Sequence, residues 1–143
     1  MKPVKNKFLF YLLSFTWGLP MTLIGMFGAV ALRIAGCNYQ KVGYCYHFET
    51  GYGWGGVSLG IFIFTQRHAV DHITFHEHGH AFQNCYLGFL MPFIVGLPSA
   101  IRYQYRKIRA KRGNPCKTKY DAIWFEGSAT KLGTNFLLNE QND

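Results

Sequence analysis

The chain of 143 residues is long enough for one domain with its own core and too short for two. Apolar residues make up 49% of it and charged residues only 15%, against roughly 25% in soluble domains, which excludes a disordered chain and favours a membrane protein. Fifteen Lys and Arg residues against seven Asp and Glu give a formal charge of +8, so the expected partner is nucleic acid or an anionic lipid surface.

The first predicted element is an apolar run from Phe8 to Ala35, which follows three lysines. It is 28 residues long and Arg33 is its only charge, whereas about 20 apolar residues suffice to cross a bilayer as a helix. We therefore predict an N-terminal transmembrane helix over 8–35, with a break at Gly18-Leu19-Pro20 because proline disrupts the preceding helical turn. A secretory signal peptide is the alternative, although its apolar region is usually shorter.

Two β-prone stretches follow, from Val42 to Phe48 and from Val57 to Thr65, with a glycine-rich segment between them. Such stretches on either side of a turn predict a β-hairpin over 42–65. Cys37 and Cys45 could pair at its base in an oxidising compartment. Free thiols are the favoured interpretation of all four cysteines, because no Cys-x-x-Cys occurs and the spacings share no pattern.

The second half of the chain predicts a helix over 70–87, an apolar membrane-associated segment over 88–101, a basic segment over 102–119 and a short helix over 120–133. Eight lysines and arginines lie from Arg102 to Lys119 with no acid among them, as in segments beside anionic lipid. Nucleic-acid binding competes as an explanation, but charges next to an apolar run are already explained by a membrane. We expect an α+β protein integral to the cell membrane, with anionic lipids as partners.

The most informative residues are His76 and His80, with Glu77 directly after the first. Residues four apart on a helix lie on one face about 6 Å apart, so the two imidazoles can bind one metal ion. Glu77 is turned about 100° around the axis, beside the ion, where a general base is needed. This is the His-Glu-x-x-His signature of zinc peptidases. In the competing interpretation the histidines are ordinary helix residues, which leaves Glu77 as an acid without a partner in an apolar neighbourhood.

A catalytic zinc site needs a third protein ligand and keeps one position open. Glu126 is the leading candidate, because it lies on the predicted helix over 120–133 beside aromatic residues. His72 is the alternative ligand, one turn before His76, although three histidines of one straight helix rarely converge on a tetrahedral ion. The more distant candidates are His68 and Asp71. His78 projects about 200° away from His76 and is expected to face solvent or to support a ligand from behind.

The histidine pair, with Glu126 following His80 by 46 positions and a small residue at Ala129, resembles the gluzincin division of the zincin metallopeptidases. With its apolar segments the chain also looks like small bacterial zincin-like integral membrane proteins. The resemblance implies Zn²⁺ held by His76, His80 and Glu126, and peptide-bond hydrolysis by water that Glu77 activates. The matching motifs lie between about Ile73 and Ala129.

One position departs from the gluzincin pattern. These enzymes often carry an aspartate four residues after the glutamate ligand, where it orients a ligand histidine, and this chain has Thr130 instead. Many also use a tyrosine or histidine to assist the oxyanion. The candidates here are Tyr103, Tyr105 and Tyr120, and no spacing selects one of them.

The path of the apolar run from Ala81 to Ile101 decides whether the predicted metal site can form. If it crossed the bilayer as a straight helix, His80 and Glu126 would lie on opposite sides and could not share an ion. Its two prolines favour a re-entrant or interfacial segment. Three functions stay open: a membrane zinc peptidase whose peptide substrate is held along an unpaired edge near Val57–Phe64, a protein that binds zinc without catalysis, and a lipid-surface protein with incidental histidines.

Overall fold

The computed structural model describes residues 1–140 and shows a four-stranded sheet packed between helices, which confirms the mixed α+β class. The elements in chain order are α1 (Lys7–Phe15), α2 (Leu19–Ile34), β1 (Tyr39–Val42), β2 (Cys45–Glu49), β3 (Gly56–Leu59), β4 (Phe62–Thr65), α3 (Asp71–Leu87), a 3₁₀ turn (Gly88–Leu90), a π-helical turn (Pro92–Gly96), α4 (Leu97–Lys111), a second 3₁₀ turn (Tyr120–Ala122) and α5 (Trp124–Glu140).

The sheet corrects the prediction of a single hairpin over 42–65. Its strand order is β1-β2-β4-β3, with two antiparallel hairpins, β1–β2 and β3–β4, joined through a parallel pairing of β2 with β4. Each of the two predicted strands is a pair of shorter strands joined by a two-residue turn. The turns begin at Gly43 (φ 54°) and Gly60 (φ 65°), where glycine accepts positive φ without strain. The glycine-rich segment is therefore the connection between two hairpins. All four cysteines are free thiols, including Cys37 and Cys45.

The two faces of the sheet pack on different helices, because side chains alternate along each strand. Phe48 and Phe64 pack with Ala29 of α2 on one face. Cys45 and Ile63 point to the other face, where they join Phe82 of α3 and residues of α5 in the main core. The sheet is thus a layer between α2 and the α3–α5 pair, and β3 lies at its edge.

The N-terminal apolar run forms two helices, with a break where the sequence predicts one. α1 and α2 meet at an angle of 91°, at the predicted break, and Pro20 lies in the first turn of α2, where its missing N–H costs no hydrogen bond. Within residues 1–140 no single helix is both long and apolar enough to cross a membrane. Two bent pairs, α1 with α2 and α3 with α4, reach the required length and composition only when their members are taken together.

The apolar segment over 88–101 turns the chain back. α3 ends at Gly88 (φ 56°), and after the 3₁₀ and π-helical turns α4 leaves at 115° to α3. Pro92 and Pro98 stand at the starts of the π-helical turn and α4, where proline is tolerated. The first half of the basic segment continues α4 to Lys111. Because α3 and α4 do not form one straight helix, the residues after α4 can return to α3.

Glycines set the spacing between α3 and α5. A Cβ atom at Gly79 would overlap the carbonyl of Ala129, and one at Gly133 would overlap the carbonyl of Phe75, so the two helices approach at backbone distance. The prediction that the last helix stops at Gly133 is wrong, because α5 continues to Glu140. Gly133 is a contact point between helices and not a helix end.

Candidate metal centre

His76, His80 and Glu126 converge on one point between α3 and α5. Glu126 Oε2 lies 3.0 Å from His76 Nε2 and 3.2 Å from His80 Nε2, and the two Nε2 atoms are 3.1 Å apart. All three residues are buried, with Glu126 fully so. A buried group of two imidazoles and one carboxylate at this spacing could hold a metal ion. The close packing at Gly79 and Gly133 brings α5 near enough for Glu126 to reach both histidines.

The side chain of Gln83 fixes the tautomer of His80. Gln83 Nε2 donates to the carbonyl of Phe125 at 2.7 Å and to Ser128 Oγ at 2.6 Å, which leaves Gln83 Oε1 as the atom that faces His80. His80 Nδ1 lies 2.7 Å from this oxygen, which can only accept, so Nδ1 carries the proton. The lone pair of the neutral ring is then on Nε2, toward Glu126.

The Thr130 hydroxyl fixes the tautomer of His76 by linking it to Asp121, and we call this pair of hydrogen bonds the Thr130 relay. The Thr130 hydroxyl donates to Asp121 Oδ2 at 2.8 Å and therefore accepts from His76 Nδ1, also at 2.8 Å. The acid that gluzincins place directly behind a ligand histidine is thus present one hydrogen bond further away. Thr130 does not leave His76 unsupported, and His76 also presents the lone pair of Nε2 to the centre.

With both rings neutral and both Nδ1 atoms protonated, two nitrogen lone pairs and a carboxylate oxygen lie within 3.0–3.2 Å of one another. A proton on one Nε2 makes that nitrogen a donor to Glu126 but leaves the lone pair of the other nitrogen facing the same oxygen. A divalent cation would satisfy all three atoms. Ligand atoms of a tetrahedral ion with bonds of about 2.0–2.1 Å lie only slightly further apart, about 3.3 Å. The donor set of two imidazoles and one carboxylate fits a divalent first-row ion.

The charge states of Glu126 and His80 are consistent with a site for a divalent cation. Burial raises the pKa of Glu126, but hydrogen bonds with His76 and His80 outweigh it and bring the pKa well below its usual value. Burial lowers the pKa of His80, while Glu126 and Glu77 raise it, with a net upward shift. The arrangement therefore favours an anionic Glu126 and positive charge beside it.

The second oxygen of Glu126 is held from α4. Ser99 Oγ donates to Glu126 Oε1 at 2.5 Å, and the Tyr120 hydroxyl lies 3.2 Å from Ser99 Oγ. The Tyr120 ring lies 6.1 Å from that of His76 and under the guanidinium groups of Arg102 and Arg106. Burial raises the pKa of Tyr120 to about 12, so the phenol stays a hydrogen-bond donor at neutral pH. Of the three candidate tyrosines, Tyr120 makes this contact.

Glu77 is buried beside the centre but is not part of the converging triad. Burial raises its pKa, and the nearby His80 and His76 oppose the shift. It lines a cleft of about 470 Å³ together with His80, Ser99 and Tyr120. The carboxylate therefore faces the space from which a substrate would reach the two histidines.

Strand β3 forms one wall of this cleft and pairs only with β4 among the described residues. Gln66 N–H donates to the Gly55 carbonyl, so the alternation of an antiparallel pair turns the backbone groups of Gly56 and Ser58 away from β4. The backbone of Ser58 hydrogen-bonds to Glu77. No strand covers this edge among the described residues, but the Ser58 backbone is already bonded to Glu77, which leaves the outward backbone groups of Gly56 for a strand-like partner.

The other sequence candidates lie outside the triad. His72 is exposed, with Nε2 3.9 Å from Asp121 Oδ2, so it contacts the relay behind His76 and not the centre. His78 is buried among aromatic rings, where its Nε2 accepts from the Tyr44 N–H at 3.2 Å. His68 and Asp71 do not belong to the metal-binding group of the described residues.

Three supporting residues were not foreseen: Gln83, Ser99 and Asp121. Gln83 carried a usable signal, because it follows His80 by three positions and such pairs meet on a helix. Ser99 and Asp121 reach the site only through the return of α4 and the 3₁₀ turn before α5, which no local pattern indicates. Comparison of the chain with protein-family models, curated proteins and solved structures finds no match.

Proposed function

We propose that the protein is a membrane-associated, zinc-dependent peptidase that hydrolyses peptide bonds near the bilayer surface. The observation that carries the proposal is the convergence of His76, His80 and Glu126, with Glu77 beside them at an open cleft. Among residues 1–140 no fourth protein ligand joins the three, as expected of a catalytic site with one open position. The resemblance to gluzincins supports the same assignment.

A divalent ion in such a site lowers the pKa of water to near 7 and polarises a carbonyl group. Glu77 would accept the proton of the attacking water and pass it to the leaving amine. The Tyr120 hydroxyl would donate to the carbonyl oxygen of the substrate as negative charge develops there. The edge of β3 would hold the peptide in an extended conformation at Gly56, and main-chain hydrogen bonds there would fix the scissile bond beside Glu77.

Zinc is proposed over other divalent ions because neutral imidazoles with one carboxylate are its common catalytic ligand set. Other first-row ions accept the same ligands, so the natural metal is a matter for analysis of purified protein.

Membrane association is proposed from apolar side chains that the fold leaves on its surface. Phe27 and Ile34 of α2 and Phe93 of the π-helical turn are 71%, 84% and 70% exposed. Large exposed apolar patches mark contact with lipid or with a partner. The basic residues from Arg102 to Lys119 follow the second apolar segment and would contact anionic headgroups, which supports an integral location in the cell membrane.

A structural zinc site is the second candidate, favoured by the burial of all three ligands between α3 and α5. The test uses the full chain in detergent, with zinc per chain and cleavage of an apolar fluorogenic peptide library as readouts. The peptidase proposal expects His80→Ala to lose both, Glu77→Gln to lose cleavage and keep zinc, and the exposed control His72→Ala to keep both. Wild-type protein with one zinc and no cleavage would favour the structural site.

A further inference from the structure

A second cavity lies on the opposite face of the sheet from the metal centre, between α1, α2 and strands β1 and β2. Its volume is about 780 Å³, within the range of roughly 300–1,000 Å³ that ligand pockets occupy. We call it the α2–sheet groove. Its walls are Met26, Val30 and Ile34 of α2 with Tyr11 and Phe15 of α1. Its floor is formed by Tyr39, Tyr46, Phe48 and Phe62.

The groove exists because α2 covers only half of the sheet. A Cβ atom at Gly25 would collide with Leu59 of β3, and one at Gly28 would lie 3.3 Å from the ring of Phe64 on β4. These glycines let α2 sit directly on the β3–β4 hairpin. The β1–β2 half of the same face is covered only in part, because Phe48 is buried against Ala29 while Tyr39 of β1 stays half exposed at the groove.

Two cations stand at the groove without a carboxylate. Arg33 lines it and lies 5.8 Å from the ring centre of Tyr39. Lys41 Nζ lies 5.9 Å and 5.4 Å from the rings of Tyr11 and Tyr46, which both line the groove. Arg33 Nη1 donates to the Cys37 carbonyl and to Asn38 Oδ1, and among the side chains described over residues 1–139 neither cation forms an ion pair, so their charges can meet an anion from outside.

We propose that the α2–sheet groove binds one anionic phospholipid, with an acyl chain along the apolar walls and the headgroup phosphate beside Arg33 and Lys41. The apolar lining needs a long hydrocarbon group, and the cations need a negative charge attached to it. A second copy of the chain would bring a formal charge of +8 to the same cations, which disfavours a dimer at this surface. The groove is separate from the basic residues of α4, and it does not depend on the metal or on catalysis.

The experiment is native mass spectrometry of the full chain released from a nonionic detergent. Three probes are compared: phosphatidylglycerol, phosphatidylcholine with the same acyl chains, and glycerol 3-phosphate, which has the anionic group without chains. We expect one phosphatidylglycerol per chain, at least fivefold weaker retention of phosphatidylcholine, and no retention of glycerol 3-phosphate. Lys41→Gln should weaken phosphatidylglycerol about fivefold, the effect of one lysine near an anionic lipid surface.

Lys131→Gln is the matched control, because Lys131 is also an exposed lysine but lies on α5, outside the groove and outside the basic segment. Its phosphatidylglycerol affinity should equal that of the wild type. Val30→Glu, which puts an acid on the groove wall, should abolish retention, and an unchanged circular dichroism spectrum and melting temperature would show that each variant is folded. Equal retention of both phospholipids, equal effects of the two lysine variants, or a dimer without lipid would overturn the proposal.

Discussion

Ser99 and Glu126 connect the return of α4 to the metal centre: the Ser99 hydroxyl donates to Oε1 of Glu126, while Oε2 of the same carboxylate faces His76 and His80. One oxygen is therefore held by α4 and the other is free for the ion. This orientation of the carboxylate allows the contact with Ser99 and the contact with the two histidines at the same time. The position of the apolar turn between α3 and α4 thus decides the geometry of the third ligand.

Ser99→Ala should weaken zinc binding about 10-fold, because residues that orient a ligand typically contribute 10- to 100-fold to affinity. The site should still fill at saturating zinc, since all three ligands remain. Competition with a chromophoric chelator measures the change. Ser14→Ala removes a buried hydroxyl that contacts Phe10 and Cys85 and should leave the zinc affinity unchanged. An equal loss in both variants would mean that Ser99 acts through stability alone.

The Thr130 relay predicts a pair of opposite outcomes. Thr130→Val removes the hydroxyl between His76 Nδ1 and Asp121, and should lower zinc affinity by 10-fold or more. Thr130→Ser keeps the hydroxyl between His76 Nδ1 and Asp121, and should keep affinity within a few-fold of the wild type. Chelator competition on both proteins gives the comparison. If the serine variant binds zinc as weakly as the valine variant, the relay does not orient His76.

Much of the site followed from local sequence, whereas the fold around it did not. His76, Glu77 and His80 occupy little more than one helical turn, so helix geometry alone indicated their arrangement. Glu126 could be chosen only as an acid on a second helix, because its approach depends on Gly79 and Gly133, whose contacts are not local. The parallel pairing of β2 with β4 also joins distant segments, and the sequence pattern therefore suggested a simple hairpin instead.

Gly56→Ala should separate metal binding from catalysis. A Cβ atom at Gly56 would lie 3.0 Å from Cγ and Oε1 of Glu77, so the new methyl group presses on the proposed general base from the β3 edge. We expect unchanged zinc content and at least a 10-fold fall in the peptide-cleavage rate. A general base contributes about 10²–10⁴-fold to the rate, and its displacement removes part of that contribution. Gly53→Ala, where a Cβ meets open space, is the control for added volume in this region, although its backbone φ is 69°. Loss of zinc from Gly56→Ala would contradict this prediction.

His47 predicts a loss of stability in acid that is independent of the metal. Burial lowers its pKa, Glu49 offsets this only in part, and its Nε2 lies 2.7 Å from Thr65 Oγ1. In the unfolded chain the pKa of a histidine is about 6.5, so below this pH the unfolded chain binds more protons than the folded one. The contribution of His47 to the free energy of unfolding is therefore fully present above this pH, and it is lost as the pH falls toward the lowered pKa of the folded protein.

His47→Gln keeps a polar group beside Thr65 and removes this titration. Denaturant unfolding of the metal-free proteins between pH 7 and pH 5 should therefore show a smaller loss of stability for the variant than for the wild type. The other ionisable groups are the same in both proteins, so their contributions cancel in the comparison. Identical pH profiles would show that His47 does not contribute.

The central claim is that His76, His80 and Glu126 share one divalent ion, and X-ray absorption at the zinc edge of the purified full chain tests it most directly. We expect one zinc per chain with four nitrogen or oxygen neighbours at about 2.0–2.1 Å and scattering from two imidazole rings, and no bound zinc in His80→Ala. Sulfur neighbours from the free cysteines, or an unchanged two-imidazole signal in His80→Ala, would contradict the account.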